Sequence, residues 1–491
     1  MTGTTTAEVK LPPQVRGALL ALVVGGIAAI LDSTMVTLAI RTLVVRLHST
    51  TGTIQWVTTG YLLAMAVAIP VTGWAERRWG GKRVWAGALV LFVLASVLCA
   101  LSWNAGSLIG FRMLQGFGAG LIFPLMQTLA VRAAGGRVSS RLMAAVSLPI
   151  ALGPILGPVI GGLVLNWLSW RWLFLINVPL IAVGLLLARR FLPDDRPAPG
   201  AAPGVAPGSA SDRPDWIGLI LLAPALTGVL LGLSQLSENG GADHAGVLVP
   251  LSAGAVLLAA FVVRAVRPGG RRPVVDVRLL GLRSLGSAAA VLFTAGAAIY
   301  AGMFLLPLYY QQMRGDNVLD AGLLLIPQGV GALAARFAVG RLVDRFGAQL
   351  VTIGSFVLTA VATVPFAYAG ADTSPWWLAA VLFVRGLGIG AVLIPPMSVA
   401  YQDTRPADIP HATMNTRIAQ QVGASFGTAI VAVAFQSLAG RGAIAAFHGA
   451  FWWAAGLTAV AVVPALALPS GRAASPDHEE QRPNPARTPG R

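Results

Sequence analysis

Asp32 and Arg112 carry a permanent or transferable charge in a setting where charge is costly. Asp32 sits in the run Gly17–Ile40 (GALLALVVGGIAAILDSTMVTLAI), and of the 19 Asp and Glu residues it alone falls inside an apolar stretch of membrane-spanning length. An ionisable group at that depth costs several kcal/mol unless it is paired, protonated or hydrated. It therefore marks a functional site, or else an ion pair that locks two helices. Arg112 opens the segment RMLQGFGAG (112–120), and its guanidinium is always charged, so it needs a partner or a route to the headgroups. A carboxylate held between desolvation and a neighbouring guanidinium feels opposing pulls on its proton. Its protonation can then change with water access or with a ligand. The chemistry implied is proton uptake on one side and release on the other, with Asp32 and Arg112 as the coupling groups.

The elements that must hold this pair are membrane helices. Apolar residues make up 56% of the chain and charged ones only 11%, against roughly 25% charged in soluble domains. The apolar residues gather in runs of about twenty, the length of a bilayer-crossing helix. The expected fold is an all-α polytopic membrane protein with 14 transmembrane helices, near 17–40, 55–75, 84–103, 107–130, 141–166, 171–191, 216–236, 246–266, 284–310, 320–341, 348–369, 376–400, 416–438 and 447–469. These divide into an N-terminal six-helix half (1–192), a Pro/Ala/Gly-rich flexible cytoplasmic linker (193–215), two extra helices (216–270), a C-terminal six-helix half (271–469) and a polar, disordered tail (470–491). The first run is too long for a cleavable signal and is expected to remain as an anchor.

Lys and Arg concentrate in the alternate loops that include the N-terminus, whereas the others carry only Arg41, Arg46, Arg171, Arg314 and Arg441. Basic loops stay in the cytoplasm, so both termini are expected there, in a multi-pass plasma-membrane protein. Arg112 and Arg385 are read as lying within spans. Span one runs outward and span four inward, which places Asp32 about 8 and Arg112 about 5 residues below the outer helix ends. At 1.5 Å per residue those depths are roughly 12 and 8 Å, close enough to meet.

Other chemistry finds little support. The net charge of +16 is spread between apolar runs rather than gathered on one nucleic-acid-binding face. Cys99 is the single cysteine, and His48, His244, His411, His448 and His478 form no metal-ligand spacing. There is neither a Ser-His-Asp or paired-carboxylate constellation nor a phosphate-binding G-x-x-x-x-G-K-[ST] loop. An enzyme and an ATP-driven pump are disfavoured, no cofactor or metal is expected, and the energy source left is the proton gradient.

The chain also repeats itself. Gly73–Gly80 (GWAERRWG) is echoed by Gly340–Gly347 (GRLVDRFG), and Gly116, Gly118 and Gly120 by Gly386, Gly388 and Gly390. Parallel six-helix repeats suggest a transporter with its site between the halves. In the fifth span, Gly153, Gly157 and Gly161 recur every four residues, forming a bare face for close helix approach, with Gly162 beside them. Pro154 and Pro158 interrupt the same helix and favour a bend suited to a gate.

These segments resemble the major facilitator superfamily, and within it the fourteen-helix drug:proton antiporter-2 branch of multidrug exporters. The resemblance spans nearly the whole chain and is carried by LDSTMVTLAI (31–40), TIQWVTTGYLLAMAVAIP (53–70), RMLQGFGAG (112–120), GPILGPVIGG (153–162) and WRWLFLINVP (170–179), with LLPLYYQQMRG (305–315), AGLLLIPQG (321–329), GRLVDRFG (340–347) and QQVGASFGTA (420–429) in the second half. It implies that Asp32 and Arg112 couple protons, with Gln115 and Gly116 adjoining, and that Gly153, Pro154, Gly157, Pro158, Gly161 and Gly162 form the antiporter gate. The inner-loop motif of the family places an acid fifth; Arg77 stands there in the first copy, with Glu76 one place early, while Asp344 keeps it in the second. Gly73, Gly80, Gly340, Asp344 and Gly347 are accordingly taken as gating residues.

No second membrane acid is visible for a dicationic cargo, which points to an amphipathic neutral, anionic or monocationic compound. Trp56, Tyr61, Gln115, Phe117, Tyr309, Tyr310 and Gln311 are its candidate contacts, lipid-facing belt or ordinary packing being the alternative for each aromatic. As the only membrane acid, Asp32 is expected to serve proton and cationic substrate in turn. The function expected is proton-coupled efflux of amphipathic drugs or antibiotics by a monomer in the lipid bilayer. The alternatives are a membrane-embedded sensor or scaffold on a transporter fold, and a proton-coupled uptake symporter.

Overall fold

A computed structural model of the protein describes residues 13–49, 51–135, 142, 145–146, 148–192, 215–239, 244–267, 275–405 and 408–470. The linker from 193 to 214 and the tail from 471 onward lie outside the described residues. Among the described residues every regular element is helical, and eleven segments are long and apolar enough to cross a membrane. The long helices of the first half are α1 Pro13–Leu38, α2 Thr51–Trp79, α3 Gly81–Ala100, α4 Ala105–Ala133, α5 Leu148–Trp167 and α6 Asn177–Phe191. Next come α7 Trp216–Asn239 and α8 Ala245–Val266, then α9 Arg283–Leu308, α10 Ile326–Phe346, α11 Ala348–Thr363, α12 Pro375–Val392, α13 Ile409–Ala439 and α14 Ala443–Val460.

The two halves pack by one plan. In the first, α2 lies on α4, α1 on α5 and α6, and α3 on α4 and α6; in the second, α10 lies on α12, α9 on α13 and α14, and α11 on α12 and α14. The glycine echoes are the physical basis of this. A Cβ on Gly116 or Gly120 would strike the Tyr61 or Met65 carbonyl of α2, whereas one on Gly118 would crowd Ala88 and Phe92 of α3. Gly386 and Gly390 stand in the same way against Gln328 and Ala332 of α10, and Gly388 against Ser355 and Thr359 of α11. Residues four apart share a helix face and the one between them points away, so three alternate glycines let one helix receive two neighbours at backbone distance. Gly80 and Gly347 share a further constraint: both begin the next helix from positive φ, 83° and 84°, which a side chain would strain.

The inserted pair packs together, with α7 seated against α2 and α13. Asp215, which the sequence assigns to the loose linker, is instead buried. It accepts from the Gly218 amide at 3.0 Å and pairs with Arg264 of α8, fixing the start of α7. Between the halves, α5 meets α10 and α13 meets α2 and α4. Exposed Trp103, Trp167, Trp172, Trp376 and Trp377 gather where α3, α5, α6 and α12 start or finish at one end of the bundle, an interfacial belt.

Gly427 tests this backbone-level packing, because a Cβ there would overlap backbone atoms of Ala297 on α9. Gly427→Ala is expected to cost about 1–3 kcal/mol and to lower the thermal unfolding midpoint in detergent. Gly87→Ala, at a position with open space around it, should leave that midpoint unchanged or raise it.

Candidate functional site

Asp32 lies on α1 at 0% exposure, in a polar cluster to which α1, α2, α3, α4 and α6 each contribute. Its Oδ2 pairs with Arg112 Nη1. Its Oδ1 accepts from Gln115 Nε2 at 3.0 Å and from Asn177 Nδ2 at 2.9 Å. Those two amides also donate to Ser96 Oγ, each at 2.9 Å, and Ser96 in turn donates to the Phe174 carbonyl at 3.0 Å. Arg112 gives a second bond from Nη1 to Gln115 Oε1 (2.7 Å) and one from Nε to the Val57 carbonyl (3.2 Å). Its guanidinium stacks on the Tyr61 ring, 4.0 Å from the centroid, and Tyr61 donates to the Ala29 carbonyl at 3.3 Å. A buried ion pair is tolerated only when its remaining lone pairs and protons are satisfied, and this shell supplies most of those partners.

Local sequence sets the depth of the pair. Asn104 and Ser107 form a reciprocal capping box that begins α4, so Arg112 falls about two turns in. Gly116, one turn beyond Arg112, brings α4 onto the Tyr61 backbone and thereby lays the Tyr61 ring over the guanidinium. On the other side of α1, the small-residue face of α5 is filled by the turns that flank Asp32. A Cβ on Gly153 would strike Ile30, one on Gly157 would strike Thr34, and one on Gly161 would crowd Met35 and Leu38. Thr34 also donates to the Gly153 carbonyl at 3.2 Å. Gly162 faces Leu319 of the second half. Pro154 and Pro158 lie within α5, their side chains outside the described ones.

The remaining sequence candidates are scattered. Tyr61 and Gln115 belong to the ion-pair shell. Trp56 is 37% exposed on α2, and Phe117 packs against the main core. Tyr309 and Tyr310 are fully buried in a separate aromatic cluster with Phe366, Phe447 and Phe451, where Tyr309 donates to the Gly370 carbonyl at 2.8 Å; Gln311 shares their single π-helical turn, Tyr309–Met313. Gly73 and Gly340 are buried, and Asp344 is exposed with no ion-pair partner among the described residues. In the first copy of the motif Glu76 is buried and pairs with Arg132, in the last turn of α4, at 2.8 Å.

Sequence reasoning passed over Ser96 and Asn177, and the signal for Asn177 was a lone amide within the apolar stretch WLFLINVPLI. Arg336 and Arg417, basic residues near the inner ends of their spans, stand inside helices α10 and α13. Among the described residues the second half builds no copy of the ion pair. Arg385, at the place equivalent to Gln115, is 2% exposed and donates to Gln328 Oε1 (2.6 Å) and Thr363 Oγ1 (3.0 Å), both neutral. Among the described residues no group of three or more His, Cys, Asp or Glu could hold a metal.

Comparison with known proteins agrees with this architecture. Residues 22–428 match the Major Facilitator Superfamily. The chain is 35% identical over 413 residues to the Multidrug resistance protein B homolog of Mycobacterium tuberculosis, covering 84% of this chain and 74% of that one. It is 27% identical to the Lincomycin resistance protein LmrB of Listeria innocua, covering 82% and 83%. Among solved structures, the human organic anion transporter MFSD10 superposes with a TM-score of 0.60 at 17% identity, over 93% of this chain and 100% of that one. The proton:xylose symporter XylE does so with 0.61 at 14%, over 91% and 94%. The chain belongs to the Major Facilitator Superfamily and is a multi-pass membrane transporter rather than an enzyme.

Proposed function

We propose that this protein exports amphipathic compounds across the plasma membrane in exchange for entering protons, its two six-helix halves giving alternating access to a site between them. The reading takes the chain as fourteen spans with both termini in the cytoplasm, working as a monomer and drawing on the proton gradient alone. The observation that carries it is the fully buried Asp32–Arg112 pair. Relatives named for drug resistance support the cargo class.

A proton that reaches Asp32 neutralises the carboxylate and cancels its attraction for Arg112. Arg112 keeps neutral acceptors in Gln115 Oε1 and the Val57 carbonyl, so it remains on the α2–α4 side while α1 is released. The glycine face of α5 rests on the turns of α1 around Asp32, and α5 is also a contact to α10 of the second half. A shift of α1 is thereby passed to the junction between halves, where Gly153, Pro154, Gly157, Pro158, Gly161 and Gly162 act as the gate. Gly73, Gly80, Gly340, Asp344 and Gly347 shape the loops that close at the cytoplasmic end. Return of the proton to the cytoplasm re-forms the pair and resets the helix. Trp56, Phe117 and Gln311 remain candidate cargo contacts, whereas Tyr61, Gln115, Tyr309 and Tyr310 would reach cargo only after leaving their present partners.

Cells that make the protein should accumulate less of several lipophilic antibiotics and dyes than cells without it, and collapse of the proton gradient should erase the difference. Equal accumulation of every compound in both cells would defeat the export reading. In proteoliposomes, Asp32→Asn should lose gradient-driven transport while exchange of labelled for unlabelled compound persists; full gradient-driven transport by this variant would remove Asp32 from the mechanism.

Asn177 is expected to act through Asp32. Asn177→Leu should cost about 1–3 kcal/mol of stability, and much of that cost should vanish in the Asp32→Asn background. A thermal-unfolding cycle should return a coupling of about 0.5–3 kcal/mol; additive effects would make Asn177 a packing residue only.

A further inference from the structure

Arg417 is a half-buried cation of the second half, and like the buried Arg385 it lacks the carboxylate that Arg112 has. It stands on α13 where that helix meets α4, and its Nε and Nη1 donate to Gln127 and Gln420, each at 3.1 Å. Both acceptors are neutral amides, at the long end of the range for such bonds. Its Nη2 is buried with no partner, and no carboxylate among the described residues lies within ion-pair distance. Around it stand Met397, held by Gln127 at 3.7 Å, Tyr401, bonded to Thr413 at 3.0 Å, and Tyr300 of α9. Tyr300 keeps 36% of its surface accessible although it lies within electrostatic reach of both Tyr61 in the first half and Arg417 in the second.

Guanidinium groups in membrane interiors pair with anions, because an unpaired charge there costs several kcal/mol and a neutral amide offsets less of it than a carboxylate does. The Gln127–Arg417 bond also joins the two halves across their junction, at the end of the bundle where α4 finishes and α13 begins. Separation of the halves there would take Gln127 from Arg417 and leave its Nε, with the unpartnered Nη2, for another acceptor. We infer that Arg417 is the recognition point for the acidic group of the transported compound, a carboxylate- or sulfonate-bearing amphiphile whose anion replaces Gln127 as the guanidinium's partner. The inference rests on the exporter reading above for the opening of the halves. It differs from the sequence-based expectation of a cation at Asp32, since a cationic cargo would meet Arg417 as a like charge.

The test uses the purified full-length protein in detergent and two fluorescent probes, pyrenebutyric acid and its methyl ester, which differ in the one charge. Wild type should bind the acid at least about tenfold more tightly than the ester, the effect of one charge-assisted pair. Arg417→Gln should erase that preference while ester binding changes little, and Arg417→Lys should retain part of it. Thermal unfolding and elution volume establish that each variant is folded. Equal binding of the two probes by wild type, an acid preference that survives Arg417→Gln, or no binding of either probe overturns the inference. Acid-selective binding without gradient-driven export in proteoliposomes would instead sink the exporter reading and leave Arg417 as an anion site.

Discussion

The first half of this protein is assembled around one electrostatic constraint: Asp32 and Arg112 are both at 0% exposure and must satisfy each other. A carboxylate with two oxygens and a guanidinium with five donors cannot be completed by one contact. The rest of the shell therefore comes from everywhere, with Gln115 from α4 itself, Ser96 from α3, Asn177 from α6, and Val57 and Tyr61 from α2. Five helices are tied to one pair, and the sixth, α5, packs its glycines on the turns of α1 that flank Asp32. A change of charge at this point is felt by every helix of that half, which makes the pair suited to coupling and not only to cohesion.

The second half shows what the scaffold does without such a pair. Its helices pack in the same order, and its alternate glycines bring α10 and α11 onto α12 as their counterparts bring α2 and α3 onto α4. Yet Arg385, with Gln328 and Thr363 around it, has only neutral partners. Backbone-level packing is thus independent of the charge chemistry. The repeated glycines supply the frame in both halves, and among the described residues the buried acid–arginine pair stands in the first. The halves differ in charge chemistry: the buried ion pair lies in one, and Arg385 and Arg417, which have no carboxylate partner among the described residues, lie in the other.

The sequence was most legible where a residue broke a strong pattern. An acid in an apolar run and an arginine at matching depth led to a pair that exists, and the repeated glycines led to the shared packing plan. It was less legible where polarity is ordinary. Ser96 and Asn177 are common in membrane helices, and nothing in their spacing singles them out from Ser or Asn that merely bond a backbone carbonyl. Arg417 was hidden by a boundary: α13 begins at Ile409, so a residue that hydropathy leaves at a helix edge stands more than two turns inside it. Asp344 keeps the motif position yet is exposed, whereas Glu76, one place early, is buried. A motif position fixes which residue is available, but burial is decided by the facing helix, and α4 offers Arg132 to Glu76.

The shell around Asp32 also constrains how proton and cargo can communicate. The expectation drawn from charge alone was that proton and cationic cargo take turns on one carboxylate. Both oxygens of Asp32 are already occupied, one by a guanidinium and the other by two amides, and no surface of the residue is accessible. A cargo large enough to be amphipathic would have to strip those donors before touching the acid, leaving Arg112 and two amides unsatisfied in a low-dielectric interior, each at a cost of about 1–3 kcal/mol or more. A proton needs no such room. Coupling through the position of α1 and the α5 face against it therefore asks less of the structure than competition for a shared site, and it frees the space between the halves to select cargo by other groups.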